Sequence, residues 1–150
     1  MTDKKLKSHR VKIDKIDKEI YALIQKRASH AVAIGKIKSK VSPKDSFYKP
    51  DRETKILRNI LNANKKGLLP DSKIRAIYKE LISGCLSLEE ILKVAYLGPE
   101  ATHSEAAVHN QFGSQALRIP TSTIDDVFYQ VINDDVTLGV VPVELSLIHI

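Results

Sequence analysis

The stretch from Leu6 to Val41 contains no proline, and its apolar residues recur at three- and four-residue spacing: Ile13, Ile16, Ile20, Leu23, Ile24, Ala31 and Ile34. That spacing predicts one uninterrupted amphipathic helix. A helix of about 35 residues is well above the globular mean and needs a partner along its length to be stable. Two cations, Arg27 and Lys38, lie inside the apolar stripe rather than opposite it. At about 100° per residue they are roughly three turns apart with some 20° of drift, with Ala31 and Ile34 between them on the same face. One such cation is ordinary snorkelling at the edge of a stripe. Two spaced along it point to a buried site for an anion.

After this helix, Ser42-Pro43-Lys44-Asp45-Ser46 breaks the pattern. A second helix is expected to start at Pro50-Asp51-Arg52-Glu53, where proline suits the first turn and the acids complement the helix dipole. Its apolar face is Ile56, Leu57, Ile60 and Leu61, and Asn64-Lys65-Lys66-Gly67 stops it. Asp71 is the expected N-cap of a third helix carrying Ile74, Ile77, Tyr78, Leu81, Ile82, Cys85, Leu88 and Leu92. These three helices make an all-α unit over residues 1–92.

The pattern then changes. Val94 to Leu97 reads as a short buried strand stopped by Gly98-Pro99, and Ser104 to Phe112 as a helix. Ala116 to Ile119 follows as a strand, Ile124 to Ile132 as a helix after the Thr121-Ser122-Thr123 cap region, and Val136 to Val143 as a run of β-formers. This β-α-β-α-β order over residues 93–144 is the opening of a parallel α/β domain, and such a sheet is incomplete in under 60 residues. Leu145-Ser146-Leu147-Ile148-His149-Ile150 matches one reading frame of a common transposon-type sequencing adaptor. It is therefore expected to be a spurious tail, and His149 is given no role. His103 and His109 are too isolated for a metal site.

Charge supports the division. Residues 1–92 carry 22 Lys+Arg against 11 Asp+Glu, and residues 93–150 carry 2 against 7. The single cysteine, Cys85, excludes an internal disulfide and fits a reducing compartment. Met1 to Arg10 has no apolar segment of the kind a secretory signal needs, and no apolar run reaches membrane-spanning length, so a cytoplasmic protein without membrane contact is expected.

Four polar residues join the two stripe cations. Arg10 lies near the start of the long helix, rotated roughly 100° from Arg27. Arg52 and Glu53 sit in the first turn of the second helix, and Glu89 is expected on the inward stripe of the third, one turn beyond Cys85. Each has a plain explanation alone. Together they supply cations and two carboxylates to one bundle interior, which a purely structural bundle avoids because unpaired buried charge is costly.

Arg10, the Ile13-Asp14 to Asp17 phase, Arg27, Gly35-Lys36-Ile37-Lys38 and Pro50-Asp51-Arg52-Glu53 resemble the all-helical class of chorismate mutase. Lys93-Val94-Ala95-Tyr96-Leu97-Gly98-Pro99-Glu100 resembles the opening of prephenate dehydratase, and Gly139-Val140-Val141-Pro142-Val143-Glu144 a later motif of that domain. Their order is that of the bifunctional chorismate mutase–prephenate dehydratases of phenylalanine biosynthesis. The resemblance implies an interlocked homodimer with paired long helices, two active sites that each draw on both chains, and no cofactor. It implies chorismate as substrate, a dianion that rearranges to prephenate through a chair-like pericyclic transition state. Catalysis then rests on conformational restriction and charge complementarity. A rate gain of about 10⁶ corresponds to roughly 8 kcal/mol.

By the same resemblance, Arg27 and the partner chain's Arg10 would clamp the carboxylates. Lys38 would bind a carboxylate and the ether oxygen, Arg52 would support the site, and Glu53 would accept from the ring hydroxyl. Three positions depart from relatives. Glu89 stands where some carry a glutamine that donates to the ether oxygen; a carboxylate cannot donate, whereas a protonated carboxyl can, so turnover is expected to improve toward acid pH. Cys85 stands where some relatives have serine, weakening any contact to a substrate carboxylate there. Lys49 replaces an acid that in some relatives helps bind the ring hydroxyl, leaving more of that task to Glu53. The dehydratase part resembles the start of a two-lobed, periplasmic-binding-protein-like fold, with Ala101 where glycine is usual. Its catalytic threonine motif lies beyond Glu144, so no dehydratase activity is expected from this chain.

Three other readings compete. A nucleic-acid-binding helical module would put its cations on an outward face, whereas Lys12, Lys15 and Lys18 alternate with Asp14, Asp17 and Glu19 as on a solvated face, so no nucleic-acid partner is expected. An isochorismate pyruvate-lyase-like enzyme would need similar cations but gives no reason for a dehydratase opening. A purely dimerising helix module gives no reason for the inward charges.

Overall fold

The computed structural model describes residues 2–41 and 48–143. The Ser42–Ser46 break and the 145–150 tail lie outside the described residues.

Helix α1 spans Thr2–Val41 and is 40 residues long, starting a turn earlier than expected. The polar residues Asp3, Lys4 and Lys5 extend it because Asp3 in the first turn suits the helix dipole. Helix α2 spans Pro50–Ala63, with Pro50 at its first position, and a single 3₁₀ turn, Asn64–Lys66, closes it. Helix α3 spans Asp71–Leu86. Asp71 is not its N-cap: Pro70 takes that position, and the Asp71 carboxylate instead accepts from Asn64 Nδ2 at 2.7 Å, tying the two helix ends together.

Helix α3 also stops six residues before the expected Leu92. The backbone N–H of Leu88 donates to Cys85 O at 3.2 Å and that of Glu89 to Leu86 O at 2.8 Å, so the last turn tightens to three-residue spacing and ends. The chain is drawn off the helix because Leu92 is buried in the sheet's core rather than in the bundle. Glu89 therefore sits in the turn after α3, not on its stripe.

The second part is β1 (Lys93–Leu97), α4 (His103–Phe112), β2 (Leu117–Thr121), α5 (Ile124–Ile132) and β3 (Leu138–Val140). The strands form a parallel sheet in the order β2-β1-β3, with Ala95 opposite both Ile119 and Gly139. Strand alternation sends Val94 and Tyr96 to one face, where they pack with Val108 of α4, Leu92 and Ala116. Ala95 points to the other face, against Val127 of α5 and Val136. Central strand β1 thus buries residues on both faces, as a parallel sheet requires. β2 runs through Pro120, which an edge strand tolerates because proline has no N–H to donate. β3 is shorter than the expected 136–143: Val136 is buried before the strand begins, and Pro142 follows it.

Thr123 caps α5 by accepting from the Asp126 N–H at 3.1 Å. Ala101 adopts φ +62°, so the loop after Gly98-Pro99 keeps a left-handed backbone although it lacks the glycine that favours it. Among the described residues no helix is long and apolar enough to cross a membrane.

The apolar stripe of α1 is buried only near its C-terminal end. Ala31 is 6% exposed, but Ile16 is 52%, Ile20 48% and Leu23 66% exposed. Among the described residues, nothing covers the first two-thirds of this helix.

Candidate active site

The C-terminal third of α1, the first turns of α2 and the end of α3 enclose a cavity of about 370 Å³. Arg27, Lys38, Arg52, Glu53, Cys85 and Glu89 all line it, as do Ala31 and Ile34 from the stripe between the two cations. Arg10 does not line it. It lies 17 residues, or about 25 Å, along α1 from Arg27 and is exposed, so one chain cannot bring it to its own cavity.

Each side chain is placed by a local cause. Arg27 donates from Nη1 to the Leu81 carbonyl at 3.3 Å, which fixes the guanidinium between α1 and α3 and leaves its other N–H groups for a ligand. Lys38 Nζ of α1 and Glu89 Oε2 in the turn after α3 form a partly buried ion pair of 3.3 Å. Gly35, one turn before Lys38, is what allows it. A Cβ at Gly35 would come within 3.2 Å of Glu89 Cα, so the missing side chain lets the turn after α3 approach α1. A glycine inside a helix costs about 0.5–1 kcal/mol relative to alanine, and here that cost accompanies the pair.

Arg52 and Glu53 enter from the first turn of α2, whose N–H groups donate to Lys49 O at 3.1 and 3.2 Å. Burial pushes the Glu53 carboxyl above its ordinary value, and the Lys79 ammonium nearby pulls it partly back. Cys85 is buried at the floor. In all, Arg27, Lys38, Lys49 and Arg52 face two carboxylates, one already paired with Lys38, so the cavity carries a positive excess against an apolar floor. Such a site binds a small anion with more than one negative group and presents charge in a fixed geometry.

Sequence reasoning missed three lining residues, His30, Tyr48 and Leu86. His30 lies one turn beyond Arg27, and that spacing alone could have found it. Tyr48 lies between the helices, where no periodicity signals a direction. Among the described residues no group of His, Cys, Asp and Glu could hold a metal ion.

A family model described as chorismate mutase type II matches residues 9–90, more than half of the chain and every lining residue. The chain belongs to the type II chorismate mutase family. A second model, prephenate dehydratase, matches residues 94–148. Among curated proteins, the bifunctional chorismate mutase/prephenate dehydratase of Aquifex aeolicus (strain VF5) is 46% identical over 142 residues, 93% of this chain and 39% of that protein. The protein of the same name from Stutzerimonas stutzeri is 42% identical over 144 residues, 94% of this chain and 39% of the relative. This member of the mutase family thus spans about two-fifths of the length of the relatives it matches.

Proposed function

We propose that this chain catalyses the rearrangement of chorismate to prephenate, with residues 1–92 as the mutase domain and 93–144 as the start of a dehydratase domain. The observation that carries this reading is the gathering of Arg27, Lys38, Arg52, Glu53 and Glu89 around one cavity inside the span matched by the mutase family. Arg27 holds one substrate carboxylate through the N–H groups not engaged by Leu81 O. Lys38 binds the second carboxylate and lies where charge develops on the ether oxygen, while Glu53 accepts from the ring hydroxyl. Arg52 adds positive potential at the mouth, and Cys85 closes the floor. The reaction is unimolecular and needs no bond to the protein, so positioning and fixed charge are the whole of the catalysis.

The functional unit in this reading is a homodimer in the cytoplasm. The uncovered stripe of α1 supports it, because a second copy would both bury that stripe and bring its own Arg10 to the cavity.

The test is chorismate consumption by the purified chain and by an Arg27→Ala variant. The wild type is expected to turn chorismate over, and the variant to lose about 10²- to 10³-fold in kcat/KM while still unfolding cooperatively on heating. A well-folded wild-type dimer that leaves chorismate untouched would end the catalytic reading.

A further inference from the structure

Tyr48 belongs to both parts of the molecule. It lines the mutase cavity beside Lys49, Arg52 and Glu53, and it also packs against the sheet core of Leu92, Val94, Tyr96, Val108 and Ala116. Its ring meets Phe112 of α4 edge-on, with centroids 5.4 Å apart and planes at 71°, and its hydroxyl accepts from Gln111 Nε2 at 3.5 Å.

We propose that α4 of the α/β segment braces the mutase cavity: Phe112 and Gln111 act through Tyr48 as positioning residues for the first turn of α2, which carries Arg52 and Glu53. This rests on the reading of the cavity as the mutase site.

Two further observations support the brace. The first concerns what holds α2 in place. Among the described residues no side chain caps its N-terminus, and its first amides hang from Lys49 O, one peptide unit from Tyr48. Behind Tyr48 and Glu53 lies a second cavity of about 410 Å³ lined also by Leu57, Lys79 and Gln111, so the space between α2, α3 and α4 is not filled by a continuous core. The edge-on contact with Phe112 and the Gln111 hydrogen bond bridge that side.

The second concerns α4 itself, which is fixed to the mutase part at its C-terminal end. Lys79 Nζ donates to the carbonyls of Asn110 and Gln111, where a cation complements the helix dipole. Glu80 accepts from the Ser114 N–H at 3.2 Å and from its hydroxyl at 2.5 Å, and Ser83 Oγ accepts from the Gln115 N–H at 3.4 Å. Gly113, at φ +79°, approaches α3 so closely that a Cβ there would lie 2.6 Å from Ser83 Cβ. The end of α4 thus spans from α3, the wall that carries Cys85, to Tyr48 at the mouth.

The test uses the full 150-residue chain, with chorismate kinetics and amide hydrogen exchange measured on the same samples. Phe112 does not line the cavity, so Phe112→Ala separates positioning from direct contact. It is expected to raise KM on the order of fivefold while kcat changes less than about twofold, the pattern of weakened uniform binding. Exchange across residues 48–56 should quicken, and Phe112→Tyr should restore both readouts. Gln111→Ala, an exposed change that leaves the fold alone, should move both in the same direction by less, which keeps the proposal testable if Phe112→Ala unfolds. Unchanged KM and unchanged exchange in folded variants would overturn the brace, as would a KM rise that Phe112→Tyr fails to reverse. If the wild type does not consume chorismate, the mutase reading fails, and exchange at 48–56 alone decides the brace.

Discussion

At the scale of single residues, Glu89 and Glu105 show how one carboxylate type is put to different uses. Glu89 faces Lys38 at 3.3 Å inside the cavity, so in the proposed mutase it occupies the lysine that the substrate needs. It also offers no donor to the ether oxygen unless protonated. Replacing it with glutamine keeps the shape, removes the ion pair with Lys38 and supplies an N–H. Glu89→Gln is expected to raise kcat/KM severalfold at neutral pH. Steady-state kinetics of both proteins at neutral pH check this. Glu105 lies in the first turn of α4 and serves the fold instead. The Ala101 N–H donates to it at 2.6 Å and Arg118 Nε at 3.2 Å, and these contacts, the backbone one foremost, hold its carboxyl below the ordinary value of 4.5. A depressed native value means stability that is fully present above the unfolded value and is lost as pH falls through the native one. Glu105→Gln is therefore expected to lower the melting temperature at neutral pH and to make it less sensitive to acid below about 4.5. Thermal melts across that range measure both effects.

At the scale of elements, α1 is the part whose chemistry one chain cannot satisfy. Its 40 residues reach about 60 Å, far beyond the contact it makes with α3, and Ile13, Ile16, Ile20 and Leu23 stay exposed along the way. Contiguous apolar surface of this kind marks an interface. A charge at its centre would have to be buried without a partner, at a cost of several kcal/mol. Ile16→Asp is accordingly expected to convert the proposed dimer to a monomer by light scattering and to abolish chorismate turnover while Arg27, Lys38 and Glu89 remain intact. A dimeric Ile16→Asp protein would show that the stripe is not the interface. The same helix carries Gly35, whose absent side chain admits Glu89, so in the proposed dimer its length serves the partner and one interior position the proposed site.

At the scale of the whole molecule, sequence and structure divide the account cleanly. Periodicity alone determined the elements: the three- and four-residue spacing in α1, the proline and acids that open α2, and the β-α-β-α-β order appear in the fold with boundaries shifted by a few residues. Periodicity also put Arg27 and Lys38 on one face, because residues 11 apart on a helix nearly coincide in direction. The family, too, was legible in the order of its motifs. Tertiary structure decided the rest. Only packing could end α3 at Leu86, since Leu88 and Leu92 continue its apolar spacing and the pull on Leu92 comes from a sheet later in the chain. Only packing could show that Glu89 reaches the cavity from a turn and pairs with Lys38, 51 residues away. Only packing could reveal Tyr48, which sits outside any periodic run and gains its meaning from Phe112, 64 residues on. Local sequence encodes direction around an element's own axis, whereas contact between distant elements depends on how the whole chain divides its apolar surface among them.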